Sequence, residues 1–129
     1  MQNKQFILKW TINQLWNGCI LASIAHAIMV AHYPELSYEQ SWDGYNYNIQ
    51  DSAGIKGTIT FTNNICVAAF RNDNSIRASI NIKNAINYFN FAPDSIINIA
   101  LSETLEYLLD NVNGQVCPLV QLLFGVIII

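Results

Sequence analysis

A long stretch with helical spacing near the amino terminus constrains the fold more than any other part of the sequence. From Ile12 to Tyr33, apolar residues recur at the i, i+3, i+4 and i+7 positions of one helix face. The second half is apolar nearly all round, which favours burial on more than one side. Pro34 follows, and proline cannot continue a helix. We therefore predict a long central helix.

The hydrophobic period changes from 3.6 to 2 after this helix, which predicts strands. Larger side chains alternate with polar ones on both sides of Asp43-Gly44. An Asp-Gly pair favours the two-residue loop of a β-hairpin, and this loop places Trp42 opposite Tyr45. The same register places Gln40 opposite Tyr47 on one face. A first hairpin is predicted here.

A second hairpin is predicted between Ile55 and Arg71. Asn63-Asn64 separates two alternating runs, and as a two-residue loop it places Phe61 opposite Cys66. The two hairpins together predict four antiparallel strands in a meander.

The carboxy-terminal part is predicted to contain helices. Ser102 is a typical N-cap, and Gly114 is placed just after the end of a helix that begins there. That helix has an apolar stripe at Leu105, Leu108, Leu109 and Val112. A shorter helix with apolar residues Ile82, Ile86 and Phe89 ends near Asn90. The segment from Ile96 to Leu101 is compatible with either strand or helix.

The tail from Cys117 to Ile129 is apolar. It is predicted to form a short helix capped by Gly125 and then a buried strand. Chain ends are usually exposed and polar, so we expect an internal strand, an oligomer contact or a chain shorter than its relatives. The fold class predicted is α+β: a long N-terminal helix packed on a four-stranded antiparallel meander sheet, followed by C-terminal helices. The chain has 129 residues, and we predict that residues 1–129 form a single domain.

Charge and cysteine usage narrow the function classes. The net charge is −3, and the six basic residues are dispersed, whereas nucleic-acid binding requires clustered Lys and Arg. The apolar runs are interrupted before reaching the roughly 18 residues of a membrane span. Three widely spaced cysteines in apolar contexts are typical of reduced thiols in the cytoplasm. We expect a cytoplasmic protein without nucleic-acid or membrane partners.

Candidate chemistry centres on Cys19, which follows Asn17-Gly18 in a segment that loosely resembles the one before the nucleophile of papain-like enzymes. Those enzymes use a downstream His as base, but no His follows His32. His26 lies seven residues away, about 10 Å along a helix and beyond proton-transfer reach. The sequence favours a buried, structural Cys19. Metal-ligand spacings are missing from the sequence, so no metal or cofactor is predicted.

Two sets of residues are candidates for binding a partner. Glu103, Glu106 and Asp110 are spaced as an acidic stripe on the predicted helix, which is either a solvated face or a docking surface for a basic partner. Trp42 and Tyr45 flank Asp43 near the predicted hairpin tip. Such aromatics belong either to the core face of the sheet or to an interface anchor.

A family resemblance covers the middle third of the chain. Its residues are Ser41 to Tyr47, Asp51-Ser52, Gly57 to Phe61 and Cys66 to Arg71, which look like a group of small bacterial proteins without assigned chemistry. In size, acidity and α+β layout, the chain is also similar to immunity proteins that accompany secreted bacterial toxins. This resemblance implies an inhibitor role and transfers no residue.

The sequence favours a cytosolic protein-binding inhibitor of the immunity or antitoxin type, which occludes a protein partner such as a cognate toxin. Two alternatives stay open. One is a small cysteine-dependent hydrolase or transferase that uses Cys19. The other is a non-catalytic subunit of a homo- or hetero-oligomer that associates through the apolar C-terminus.

Overall fold

The fold is α+β, with an N-terminal helix and a five-stranded antiparallel sheet. The structure, a computed structural model, describes residues 9–75 and 83–128. Helix α1 spans Ile12–His32 and is followed by a 3-10 helix, Pro34–Glu39. The N-terminus of α1 is fixed by a capping box, in which Thr11 and Gln14 exchange hydrogen bonds of 2.9 and 3.2 Å.

In the described part of the chain, one face of α1 packs against the sheet. Ile12 and Cys19 are buried on that face, whereas Leu21, Ile24 and Ile28 on the other side are more than half exposed. The prediction of a central helix buried on more than one side is therefore wrong. By length and composition α1 is long and apolar enough to cross a membrane, with a mean hydropathy of 1.4. Core helices and signal sequences pass the same test, so the expected lack of a membrane partner stays a prediction.

The predicted four-stranded meander is present and gains a fifth strand. It consists of β1 (Gln40–Asp43), β2 (Asn46–Gln50), β3 (Ile55–Phe61) and β4 (Ile65–Asn72). Strand β8, Leu122–Ile127, pairs antiparallel with β4 and completes the order β1-β2-β3-β4-β8. The tail is thus a strand where a short helix capped by Gly125 was predicted. A Cβ atom at Gly125 would lie 2.6 Å from Ile96, so close packing explains this glycine.

The two hairpins differ in how well their registers were predicted. Phe61 pairs with Cys66, as predicted for the second hairpin. In the first hairpin, Trp42 pairs with Tyr47, not Tyr45. The loop is Gly44-Tyr45, with Gly44 at φ +58°, because a glycine at the first loop position suits a type II′ turn. The shift is two residues, so the predicted face is preserved.

The carboxy-terminal part contains less helix than predicted. Its elements, in chain order, are β5 (Lys83–Asn84), a 3-10 helix (Ala85–Tyr88), α2 (Asp94–Ser102), a 3-10 helix (Thr104–Leu108), β6 (Leu109–Val112) and β7 (Gln115–Val120). The helix predicted from Ser102 to Gly114 is wrong. Asn113 and Gly114 both have positive φ and form the loop of a β6–β7 hairpin. Ile82 of the predicted shorter helix lies outside the described residues.

Two hydrophobic clusters pack on opposite faces of the sheet. The helix-side cluster contains Ile12, Cys19, Tyr47, Phe61 and Cys66. The carboxy-terminal cluster contains Val67, Ala69, Ala85, Ile96, Ala100, Leu105, Leu108 and Val120. The second cluster covers mainly β4 and β8, so the same face of β1, β2 and β3 is left to polar residues.

Candidate partner-binding surface

Polar side chains of β2 and β3 are buried on the face away from α1. Asn46, Thr58 and Thr60 are at most 5% exposed. The Thr60 hydroxyl donates to Asn46 Oδ1 at 2.6 Å and lies 2.7 Å from the Thr104 hydroxyl. Thr58 donates to Asn48 Oδ1 at 2.6 Å. These bonds satisfy groups whose burial would otherwise cost free energy.

The Asn46 amide joins this polar face to a segment almost sixty residues away in the sequence. Its Nδ2 atom donates to Glu103 Oε2 at 2.9 Å and to the Tyr107 hydroxyl at 3.4 Å. The Tyr107 hydroxyl in turn donates to Asp43 Oδ2 at 2.5 Å. We call Asp43, Asn46, Glu103 and Tyr107 the acidic surface. Two carboxylates from distant segments are therefore held on one hydrogen-bonded frame.

The carboxylates of the acidic surface are not neutralised within the described part of the chain. The ion pairs found in residues 9–75 and 83–128 involve Lys56 and Arg71, and none involves Asp43 or Glu103. The hydrogen bond to Asp43 raises the pKa of Tyr107, because the protonated hydroxyl is the form that donates to the carboxylate. Exposed negative charge on a fixed frame attracts a cationic group.

A groove of 330 Å³ adjoins the acidic surface and shares Asp43 and Tyr107 with it. Most of the residues that line the groove have polar side chains. Its other lining residues are Tyr38, Ser41, Asn48, Ile49, Gln50, Lys56, Gly57 and Thr58. The groove offers hydrogen-bond donors and acceptors directly beside the Asp43 carboxylate.

The residues predicted to bind a partner are distributed over several places. Asp43 and Glu103 come together, and Tyr45 is 70% exposed at the hairpin tip. Glu106 is exposed on the same 3-10 helix as Tyr107. Trp42 points to the other face, where its Nε1 donates to the Ser23 hydroxyl at 2.7 Å. Its ring lies among the aromatic rings of Trp16, Tyr47 and Phe61.

Asp110 has a structural contact and does not join the acidic surface. It pairs with the buried guanidinium of Arg71 at 3.2 Å. Arg71 also forms an ion pair of 2.6 Å with Asp73 and donates to the Leu108 carbonyl at 3.4 Å. Because Asp110 lies on β6 while Glu103 is the C-cap residue that follows α2, the predicted three-residue stripe does not exist.

The surroundings of Cys19 argue against a role as nucleophile. Burial raises its pKa to about 11, so the thiol is protonated at neutral pH. His26 donates from Nε2 to the Leu36 carbonyl at 3.0 Å, which engages it in holding the 3-10 helix after α1. Among the described residues, no group of three or more His, Cys, Asp or Glu side chains can hold a metal ion.

Sequence reasoning missed Asn46, Thr60, Thr104 and Tyr107 as parts of one site. The alternation of Asn46, Asn48 and Gln50 along β2 was a usable signal, since it marks a polar strand face. The segment 103–107, which contacts β2, carries no such signal in the sequence. Its position next to β2 depends on long-range packing.

Comparison with protein-family models, with curated proteins and with solved structures finds no match to this chain.

Proposed function

We propose that this chain is a cytosolic protein-binding inhibitor of the immunity or antitoxin type, which occludes a basic surface of a protein partner. The observation that carries the proposal is the joining of Asp43 and Glu103 through Asn46 and Tyr107. A frame that is already hydrogen-bonded loses little conformational entropy on binding. The unpaired carboxylates favour Lys or Arg on the partner.

The exposed ring of Tyr45 and, separately, the groove beside Asp43 and Tyr107 support a protein as the partner. Tyrosine supplies a large contact area with few rotatable bonds and is frequent at interfaces. The groove is open, and its lining can exchange hydrogen bonds with a partner's main chain or polar side chains. The resemblance to toxin-immunity proteins supports a toxin as the class of partner.

The experiment uses isosteric variants that remove charge and keep the hydrogen-bond acceptors. Asp43→Asn and Glu103→Gln are combined in one protein. This double variant and the wild type are immobilised on separate supports, and each is incubated with lysate of the native host. We expect a protein retained by the wild type to be eluted by raised salt and to be lost from the double variant. The product of the neighbouring gene is the first candidate to purify and titrate.

A matched control combines Glu35→Gln with Asp94→Asn. Both side chains are exposed on other elements, and the change in net charge is the same. Retention of the partner by this control, together with its loss from the first variant, supports the acidic surface. Equal binding by all three proteins rejects it.

A further inference from the structure

The two edges of the five-stranded sheet are built differently. Strand β1 has four residues, ends in a charged Asp43 and follows the 3-10 helix Pro34–Glu39, which packs against β2. Strand β8 has six residues without charge or proline, and the sequence is uncharged after Asp110. Sheet proteins usually protect their edges with charges, prolines, short strands or a covering element. Strand β8 lacks the first three of these protections.

The backbone of β8 presents hydrogen-bonding groups on the side away from β4. The Ile128 amide donates to the Asn64 carbonyl at 2.8 Å, in register with the β4–β8 pairs. Successive residues of an antiparallel strand point their N–H and C=O groups to opposite sides of the strand. Ile128 points to β4, so Leu123, Gly125 and Ile127 point their N–H and C=O groups away from β4. In the described ranges, no strand pairs with β8 on that side.

We propose that β8 pairs antiparallel with β8 of a second copy of this chain, about a two-fold axis at Gly125. In this register Gly125 faces Gly125 of the second copy, and Leu123 faces Ile127. All three residues with outward backbone groups then form hydrogen-bonded pairs. Two five-stranded sheets join as one continuous sheet.

The same register also matches the side chains. Phe124 comes beside Val126 of the second copy, which is an aromatic–β-branched pair of the kind that stabilises sheets. Leu122 comes beside Ile128, and these two side chains are 49% and 51% exposed in the single chain. Pairing therefore covers two of the most exposed aliphatic residues of this edge.

Charge and chemistry favour a second copy as the occupant of the edge. The chain carries a net charge of −3, so two copies repel each other where their charged surfaces meet. Pairing through the uncharged β8 edge avoids this repulsion, and every side chain of the edge then lies opposite an apolar residue of the second copy. The acidic surface lies at the opposite edge with β1, so pairing leaves it free in both copies.

The exposed face of α1 is an alternative surface through which two copies could associate. Leu21, Ile24 and Ile28 are apolar and more exposed than the side chains of β8. However, the helix satisfies its own backbone groups, whereas the β8 edge presents donors and acceptors that have no strand partner among the described residues and that specify a strand and a register.

The test is sedimentation equilibrium over a concentration series. We expect the wild type to reach twice its 14.5 kDa mass. Leu122→Lys with Ile128→Lys places like charges opposite each other and is expected to raise the dimer dissociation constant at least about tenfold. Leu122→Lys with Ile128→Glu places opposite charges there and is expected to restore most of the affinity.

A matched control combines Leu21→Lys with Ile28→Lys on the exposed face of α1 and is expected to dimerise like the wild type. A wild type that stays monomeric throughout the series overturns the proposal, as does a dimer lost only in the α1 control. If the double lysine variant in β8 fails to fold, hydrogen exchange of the wild type decides. The amides of Leu123, Gly125 and Ile127 should slow with rising concentration, and unchanged exchange rejects the pairing.

Discussion

The two faces of β2 and β3 are built from the same two strands but are closed in different ways. The face toward α1 carries Tyr47 and Phe61, which pack with the aromatic residues of α1 and β1. The opposite face carries Asn46, Thr58 and Thr60, whose burial depends on hydrogen bonds. The first face is closed by apolar packing, whereas the second holds the carboxylates of Asp43 and Glu103 in place through hydrogen bonds.

The largest effect is expected on the aromatic face. Phe61 is 4% exposed, and its ring centroid lies 5.1 Å from that of Trp16. Phe61→Ala should lower the free energy of unfolding by about 3–5 kcal/mol, because it removes buried apolar area and leaves a cavity. Urea denaturation followed by fluorescence measures this loss. Leu21→Ala, at an exposed site, should change it by less than about 0.5 kcal/mol.

A smaller effect is expected on the polar face. Asn46→Ala removes the acceptor of Thr60 and the donor to Glu103, so we expect the free energy of unfolding to fall by about 1–3 kcal/mol. Hydrogen exchange in residues 103–107 should also become faster, since this segment loses its link to β2. If both quantities stay at their wild-type values, Asn46 does not join the two segments.

The contrast between the faces also shows what the sequence could predict. Period-2 alternation and the Asn63-Asn64 loop were enough for the register of β3 and β4, because Phe61 and Cys66 both require the buried face. The apolar stripe at Leu105 and Leu108 predicts a helix with Gly114 just past its end, whereas Asn113-Gly114 forms the loop of a hairpin, for which this pair is a strong signal. Both leucines are buried, but a 3-10 turn followed by a strand buries them.

The candidate site was only partly predictable for a similar reason. Asp43 and Glu103 were each identified by charge and position, but their proximity depends on Asn46 and Tyr107. A contact between segments so far apart in sequence leaves no local pattern. Asp110 is the opposite case. Its charge and position made it a candidate for partner binding, but it pairs with Arg71, and this pairing also depends on tertiary packing.

The smallest effect concerns the pH dependence of Tyr107. Its pKa is raised, first by the hydrogen bond to Asp43, so folding favours the protonated phenol. This contribution is complete below the unfolded-state pKa of about 10 and is lost as the pH rises through the higher folded-state value. Stability of the wild type should therefore fall more than that of Tyr107→Phe between about pH 9 and 11. If the free energy of unfolding changed with pH in the same way for the wild type and for Tyr107→Phe, the hydrogen bond between Tyr107 and Asp43 would be contradicted.

The most direct test of the acidic surface is a titration of the purified partner at low and high salt. Binding to the wild type should weaken as salt rises, because exposed charges are screened. Asp43→Asn with Glu103→Gln should raise the Kd at least about tenfold and flatten its salt dependence, while Glu35→Gln with Asp94→Asn should match the wild type. Equal Kd values and equal salt dependence for all three proteins would contradict a partner-binding role for the acidic surface.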